Sequence, residues 1–285
     1  MKLTKTLALV LALALMVCAF AACGTEPAGT NNDGSASSDA EAVVPNDAEI
    51  AVEGSVAEEL GKGVVVMGTN AEFEPFEHRD NDEIVGYDID TANEIADYIG
   101  MELKVEDMNF DSLINALVSG KIDMILAGMS VTEERKEVVN FSEPYYRAAQ
   151  VIIVPVEGAT VASSADLAGK RIGVQEGTTG DIYVEEEIEG AVMSRFKKAV
   201  DAAIDLSNGQ IDAVVLDEQP AKRIVEQNPS LTILGEALTA EEYAIAVRKD
   251  NPVLLEEINK CLAELKINGK TDELLQKYAL NVEAE

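Results

Sequence analysis

Three stretches of the 285-residue chain carry side chains whose types and spacing could do chemistry. The first is Ala127-Gly128-Met129-Ser130-Val131-Thr132-Glu133-Glu134-Arg135. Gly128 permits close backbone approach, Ser130 offers a hydroxyl and an N–H, and Thr132 is placed to cap a short helix. Arg135 has the planar fork that takes a carboxylate in two hydrogen bonds, although the adjacent glutamates equally suit it to a surface ion pair. The second stretch, Gln175-Glu176-Gly177-Thr178-Thr179-Gly180-Asp181, follows the strand-like Arg171–Val174 and precedes a helical pattern. Free N–H groups at such a helix start receive anions; the same residues also suit an ordinary turn. The third is Asp217, which ends an apolar run and could either accept a proton from an ammonium group or cap the next helix. Phe73, Pro75, Phe76 and Phe110 follow strand-like runs, where aromatic rings wall a pocket or fill a core.

Other chemistries find no footing. Gly-x-Ser-x-Gly, the phosphate-binding Gly-Lys-[Ser/Thr] loop and Cys/His metal spacing are missing. The single histidine, His78, stands among Glu77, Arg79 and Asp80 and reads as a solvated residue. No catalytic residue, metal or cofactor is expected. Against 53 Asp+Glu stand only 22 Lys+Arg, a formal charge of −31, which repels nucleic-acid phosphates.

The elements that must position these residues alternate. Val64–Met67 reads as a buried strand, Ile89, Ala92, Ile95, Ala96 and Ile99 keep helical spacing, and Leu103 and Val105 alternate as in a strand. Asp111 is expected to cap a helix through Leu113, Ile114, Leu117 and Val118, which Gly120 can end. This order implies α/β architecture with mainly parallel pairing. Leu117-Val118-Ser119-Gly120-Lys121-Ile122-Asp123-Met124-Ile125-Leu126 is matched 89 residues later by Leu206-Ser207-Asn208-Gly209-Gln210-Ile211-Asp212-Ala213-Val214-Val215. The match is either a repeat or a generic helix-to-strand turn, and both readings give two α/β units in tandem. Open α/β sheets bind ligands beyond the carboxyl ends of their strands, which directs attention to Ala127–Ser130 and Asp217.

The N-terminus speaks to the compartment. Lys2 and Lys5 precede the apolar stretch Leu7–Ala22, 16 residues long and short of the ~20 that a spanning helix needs. It reads as an export signal over residues 1–22. Residues 23–59 then turn to Gly, Ser, Ala, Asn, Thr and acid, with nine carboxylates and no Lys or Arg, and read as an extended, disordered linker. Cys18 falls in the signal and Cys261 in the helical pattern of Leu254, Ile258, Leu262 and Leu265, so no disulfide is expected.

Phe20-Ala21-Ala22-Cys23 resembles a bacterial lipobox, with Phe20 where Leu is usual. The resemblance implies lipidation of Cys23 and a membrane tether outside the cytoplasm, at the cell surface or in the periplasm; ordinary cleavage beside an incidental cysteine is the alternative.

From Gly63 to Leu280 the chain resembles extracellular solute-binding proteins of family 3, the polar amino-acid receptors of ABC importers. The matching segments include Gly68-Thr69-Asn70-Ala71-Glu72-Phe73-Glu74-Pro75-Phe76-Glu77, Gly86-Tyr87-Asp88-Ile89-Asp90, Met108-Asn109-Phe110-Asp111 and Ala127 to Arg135. Asn140-Phe141-Ser142-Glu143-Pro144-Tyr145-Tyr146, Gly177-Thr178-Thr179 and Asp212–Asp217 follow in family order. The resemblance implies a type II periplasmic-binding fold: two α/β lobes, 60–153 with 249–285 returning to it, and 154–248. Hinges are expected near Ile152–Val156 and Ala244–Arg248. It implies a monomeric binding protein, not an enzyme, that closes on a free L-amino acid and hands it to a permease; a dehydratase of cyclohexadienyl or arogenate type, or a ligand-sensing domain, are the alternatives of the same fold.

The family pattern puts the α-carboxylate on Arg135 and on N–H groups near Ser130 and Thr179, with Thr178 beside them. The α-ammonium falls to Asp217, the Ala127-Gly128 carbonyl region and the Ser130 hydroxyl, and side-chain selection to Asn70, Phe73, Phe110 and Gln175. Where many members carry Asp, this chain has Asn70, so the expected ligand side chain is polar and uncharged unless Glu74 or Glu176 supplies a charge.

Overall fold

The computed structural model describes residues 61–280; the signal, the linker and Cys23 lie outside them. β1 (Val64–Thr69) leads through a small antiparallel sheet of β2 (Glu72–Phe73), β3 (Glu77–Asp80) and β4 (Glu83–Val85) into α1 (Tyr87–Ile99). The helix buries Ile89, Ala92, Ile95, Ala96 and Ile99, the residues whose spacing predicts it, and each large aliphatic side chain so buried contributes roughly 1.5–3 kcal/mol. Gly100 ends it in the left-handed conformation at φ 71, returning its N–H to Ala96 and Asp97. β5 (Glu102–Asp107), α2 (Leu113–Val118), β6 (Met124–Ile125), α3 (Glu133–Val138) and β7 (Val139–Phe141) follow.

Two short strands, β8 (Tyr146–Ala148) and, much later, β14 (Glu241–Tyr243), form a two-stranded sheet of their own. Between them lie β9 (Gln150–Pro155), β10 (Arg171–Gln175), α4 (Thr179–Glu187), β11 (Val192–Phe196), α5 (Ala199–Ser207), β12 (Ala213–Asp217), α6 (Glu218–Gln227) and β13 (Leu231–Ile233). β15 (Ala246–Arg248), α7 (Pro252–Ile267) and α8 (Lys270–Lys277) complete the described chain.

The strands form two five-stranded sheets of corresponding order, β5-β1-β6-β15-β7 and β11-β10-β12-β9-β13. In each, three parallel strands are followed by two antiparallel pairings, so that only the fourth strand, β15 or β9, runs against the rest. The matched segments hold equivalent places, running from α2 to central β6 and from α5 to central β12 through left-handed Gly120 and Gly209, so the repetition extends beyond one turn. One core gathers Val65, Met67, Ile95, Met124, Leu126, Val247, Leu254 and Cys261; another gathers Ile152, Val154, Ile172, Val174, Ala213 and Val215. Burial pushes the Cys261 thiol up to about 12, an inert core side chain.

Two expectations about local structure change. Residues 152–155 lie inside the second sheet and β15 inside the first, so the chain crosses between sheets at β8 and β14 instead of at Ile152–Val156 and Ala244–Arg248. Asp111 caps nothing: a 3₁₀ turn, Phe110–Ser112, precedes α2, and its carboxylate pairs with Lys197 at 2.9 Å.

Candidate functional site

The carboxyl ends of β1, β5 and β6 in one lobe face those of β10 and β12 in the other, and the residues singled out by their chemistry stand on these ends. Thr132 caps α3 by accepting the N–H of Arg135 at 3.1 Å, which places that arginine in the cleft. Arg135 is buried and forms no surface ion pair with its neighbouring glutamates; Nη1 donates to the Ser130 carbonyl at 2.7 Å and Nη2 crosses to the Gly177 carbonyl at 3.0 Å. Its guanidinium lies 5.4 Å from the Phe110 ring centroid, a cation–π distance. Burial lowers its pKa, and the charges of Glu241 and Asp217 oppose that shift.

Asp217 ends β12 buried, and its side chain does not cap α6; Oδ1 accepts the hydroxyl of Tyr243 instead. Burial, then the charge of Glu241, pushes its pKa up to about 7. A carboxylate so placed gains by meeting a cation.

At the far end of the site, Asn70 donates to the Met108 carbonyl at 3.0 Å and accepts Gln175 Nε2 from the other lobe at 2.8 Å. Gln175 Oε1 is buried without a hydrogen-bond partner. Glu74 and Glu176, the candidates for a missing pocket carboxylate, face cations of the protein: Arg223 at 3.7 Å and Lys197 at 2.8 Å. Between the two ends, Gly128 takes φ 53, and a Cβ there would stand 2.6 Å from the Phe73 ring. Only glycine allows that ring to lie against the loop. Ala127 is buried beside it.

The hydroxyls differ from expectation. Ser130 Oγ donates to Glu241 Oε2 at 2.5 Å, and Thr179 Oγ1 donates to the same oxygen at 2.7 Å while accepting Gln150 Nε2 at 3.1 Å. Thr178 caps α4, accepting the N–H of Asp181 and donating to the Gln175 carbonyl. The hydroxyls of Ser130 and Thr179 therefore serve a carboxylate on a crossing strand, leaving the backbone groups of both residues as the parts that a ligand could use. Glu241, Tyr243 and Gln150 were not foreseen; the one usable signal was Gln150, a polar residue heading the apolar run Val151–Val154.

The lobes touch across the cleft through Lys198–Glu72 at 2.5 Å, Lys197–Asp111 at 2.9 Å and the Arg135 and Asn70 bonds. This is a closed arrangement. A separate open cavity of about 1660 Å³ reaches Thr132 and Thr179 but is lined by Tyr145, Lys222, Leu265 and Leu275, not by Asn70, Phe110 or Arg135. Size alone does not make it the site, because the convergent polar groups lie elsewhere. Among the described residues no cluster of His, Cys, Asp and Glu is placed to hold a metal ion.

The family model described as bacterial extracellular solute-binding proteins, family 3, matches residues 65–281. The chain is 36% identical over 228 residues to the arginine-binding extracellular protein ArtP of Bacillus subtilis, covering 77% of this chain and 88% of that protein. Among solved structures, the arginine-bound form of truncated ArgBP from T. maritima matches with a TM-score of 0.70 at 47% identity, covering 74% of this chain and all of that one. An ancestral arginine-binding protein bound to glutamine matches with a TM-score of 0.72 at 41% identity, covering 77% of this chain and 99% of that one.

Proposed function

The chain belongs to the bacterial extracellular solute-binding proteins, family 3, and on that footing we propose that it closes on free arginine, which it carries to an ABC importer. Capture of an amino acid outside the cytoplasm for such an importer is the activity of its relatives. In this reading Arg135 takes the ligand carboxylate, Asp217 the ammonium, and the β8 and β14 crossings are the hinge.

The observation that carries the choice of arginine is the buried acceptor Gln175 Oε1, left without a partner beside Asn70. A guanidinium brings five N–H donors, and the planar cation suits the rings of Phe73 and Phe110. The net charge of −31 also draws a cation. An uncharged polar side chain, the expectation from Asn70, is the second reading: a glutamine amide also donates to Oε1, and the ancestral relative was seen with glutamine.

Thermal-shift screening against arginine, histidine, cystine, glutamine and the other amino acids tests this. Ligand at a hundredfold over its Kd adds about 2.7 kcal/mol, or about 5–11 °C for a domain of this size. Arginine should give the largest shift; glutamine shifting the midpoint while arginine leaves it unmoved favours the second reading. Turnover of a cyclohexadienyl compound without any shift favours the dehydratase. We further propose that the chain works as a monomer tethered by a lipid on Cys23. Cys23→Ala should then leave the membrane fraction, and unchanged mass and partition would defeat the tether.

A further inference from the structure

Behind the Gly128 loop lie two carboxyl groups that binding does not explain. Glu77 on β3 and Asp88 in the first turn of α1 are both fully buried. The chain presses them together: Tyr87 and Asp88 donate their N–H groups to the carbonyls of Pro75 and Phe76, and Gly86 at φ 142 sits so close that a Cβ would stand 2.0 Å from the Phe76 oxygen and 2.9 Å from Glu77 Cα. Asp88 Oδ2 accepts the N–H of Gly128 at 2.9 Å and the hydroxyl of Tyr145 at 2.8 Å. Asp88 Oδ1 and both oxygens of Glu77 are buried without an accepted hydrogen bond.

Among the described residues no cation answers them. The charged groups that bear on Glu77 are Asp88 on α1, Asp107 on β5 and Asp217 on β12, all carboxylates. Phe73 of β2 stands opposite Glu77, His78 is the next residue on the alternate face of β3, and Tyr145 and Tyr87 are phenols. Arg79, two residues along, is largely exposed and turns to Asp107 at 2.6 Å. Two adjacent carboxylates in an apolar site cannot both ionise.

We propose that Glu77 is a neutral carboxylic acid whose proton bridges to Asp88, and that the pair is the positioning device holding the Gly128 amide in the ligand site. The proton supplies the missing partner to Asp88 Oδ1, so Asp88 stays anionic towards Gly128 and Tyr145 without a resident cation to repel the ligand's own positive charges. The proton rests on Glu77 because burial, then the Asp88 charge, pushes Glu77 well above the carboxylate range, whereas the Gly128 and Tyr145 bonds restrain Asp88, which reaches about 6. Glu77 is raised above its unfolded value, so the stability it contributes is complete at low pH and fades as pH rises through the folded value. The device acts whichever amino acid is bound.

The test uses the ligand-free protein beside Glu77→Gln, whose amide N–H can replace the acid proton. Infrared spectroscopy at about pH 8, above the range in which Asp88 and Asp217 titrate, should show a carboxylic-acid C=O band in the wild type that is absent in Glu77→Gln. The variant should keep the wild-type melting midpoint at neutral pH within about 3 °C and should lose less stability than the wild type as pH rises. A wild type without the band, or a Glu77→Gln chain that fails to fold, overturns the proposal. So does a midpoint raised by calcium chloride in the wild type alone, which would make the pair an ionised cation site. The band and the pH profile need no ligand, so they stand apart from the assignment of arginine.

Discussion

Raising the pH from about 6 to about 8 should tighten amino-acid binding roughly tenfold, through Asp217. Its carboxyl is pushed up to about 7, first by burial and then by the Glu241 charge, against the restraining bonds of Tyr243 and Gln150. In the proposed site only the ionised form offers a charge to the ligand ammonium, which keeps its own proton through this range. With that value, about a tenth of the molecules are competent at about pH 6 and about nine tenths at about pH 8, a gain of about 1.3 kcal/mol. Binding near pH 7 should release about half a proton per ligand. The ligand-free fold shows the opposite trend: a carboxyl raised above its unfolded value contributes stability that is present at low pH and is lost as pH climbs to about 7. Titration calorimetry in buffers of different ionisation heat measures the affinity and the proton together. Asp217→Asn should bind weakly with no slope from this group. A flat wild-type affinity with no proton release would refute the reasoning, since Asp217 would then be ionised before the ligand arrives.

Three further perturbations probe the frame around the site. Gly86→Ala forces a Cβ to within 2.0 Å of the Phe76 oxygen at φ 142 and should cost at least about 3 kcal/mol, read as a melting midpoint about 6 °C lower or more. Asn70→Asp loses the donor to the Met108 carbonyl, so the ligand-free protein should lose about 1 kcal/mol, while calorimetry should show preference for arginine over glutamine increasing. Lys198→Ala removes an exposed bridge between the lobes; affinity should fall by no more than about threefold at low salt, and stopped-flow release rates should converge with those of wild type at high salt.

What the sequence made legible was whatever repeats or packs. The period of Ile89, Ala92, Ile95 and Ile99 marks a buried helix face, and Thr132 is the cap that its position three residues before Arg135 suggests. The matched segments mark the two central strands, and with them the strand ends at which the candidate site lies. The crossings escaped because β8 and β14 are three residues each and half polar, too short to show any period. Ile152–Val156 misled because an all-apolar run marks a buried strand without saying which sheet it joins. Glu77 and Asp88 escaped for the opposite reason: charged residues are rarely buried, and only the fold shows that each is the other's surrounding. The engagement of Ser130 and Thr179 by Glu241 depends on contacts 111 and 62 residues apart in the chain, which no local pattern records.

In the proposed function a zwitterion rests its carboxylate on Arg135 as the lobes close. Calorimetric titration of arginine into the wild type and into Arg135→Ala, with circular dichroism and melting curves on both, puts this to the test. Losing the guanidinium leaves a ligand carboxylate desolvated and unpaired, a loss of about 2–5 kcal/mol, so wild type should bind arginine tightly and the variant more than tenfold more weakly with its fold intact. A folded variant with wild-type affinity, or a wild type that takes no arginine, contradicts it.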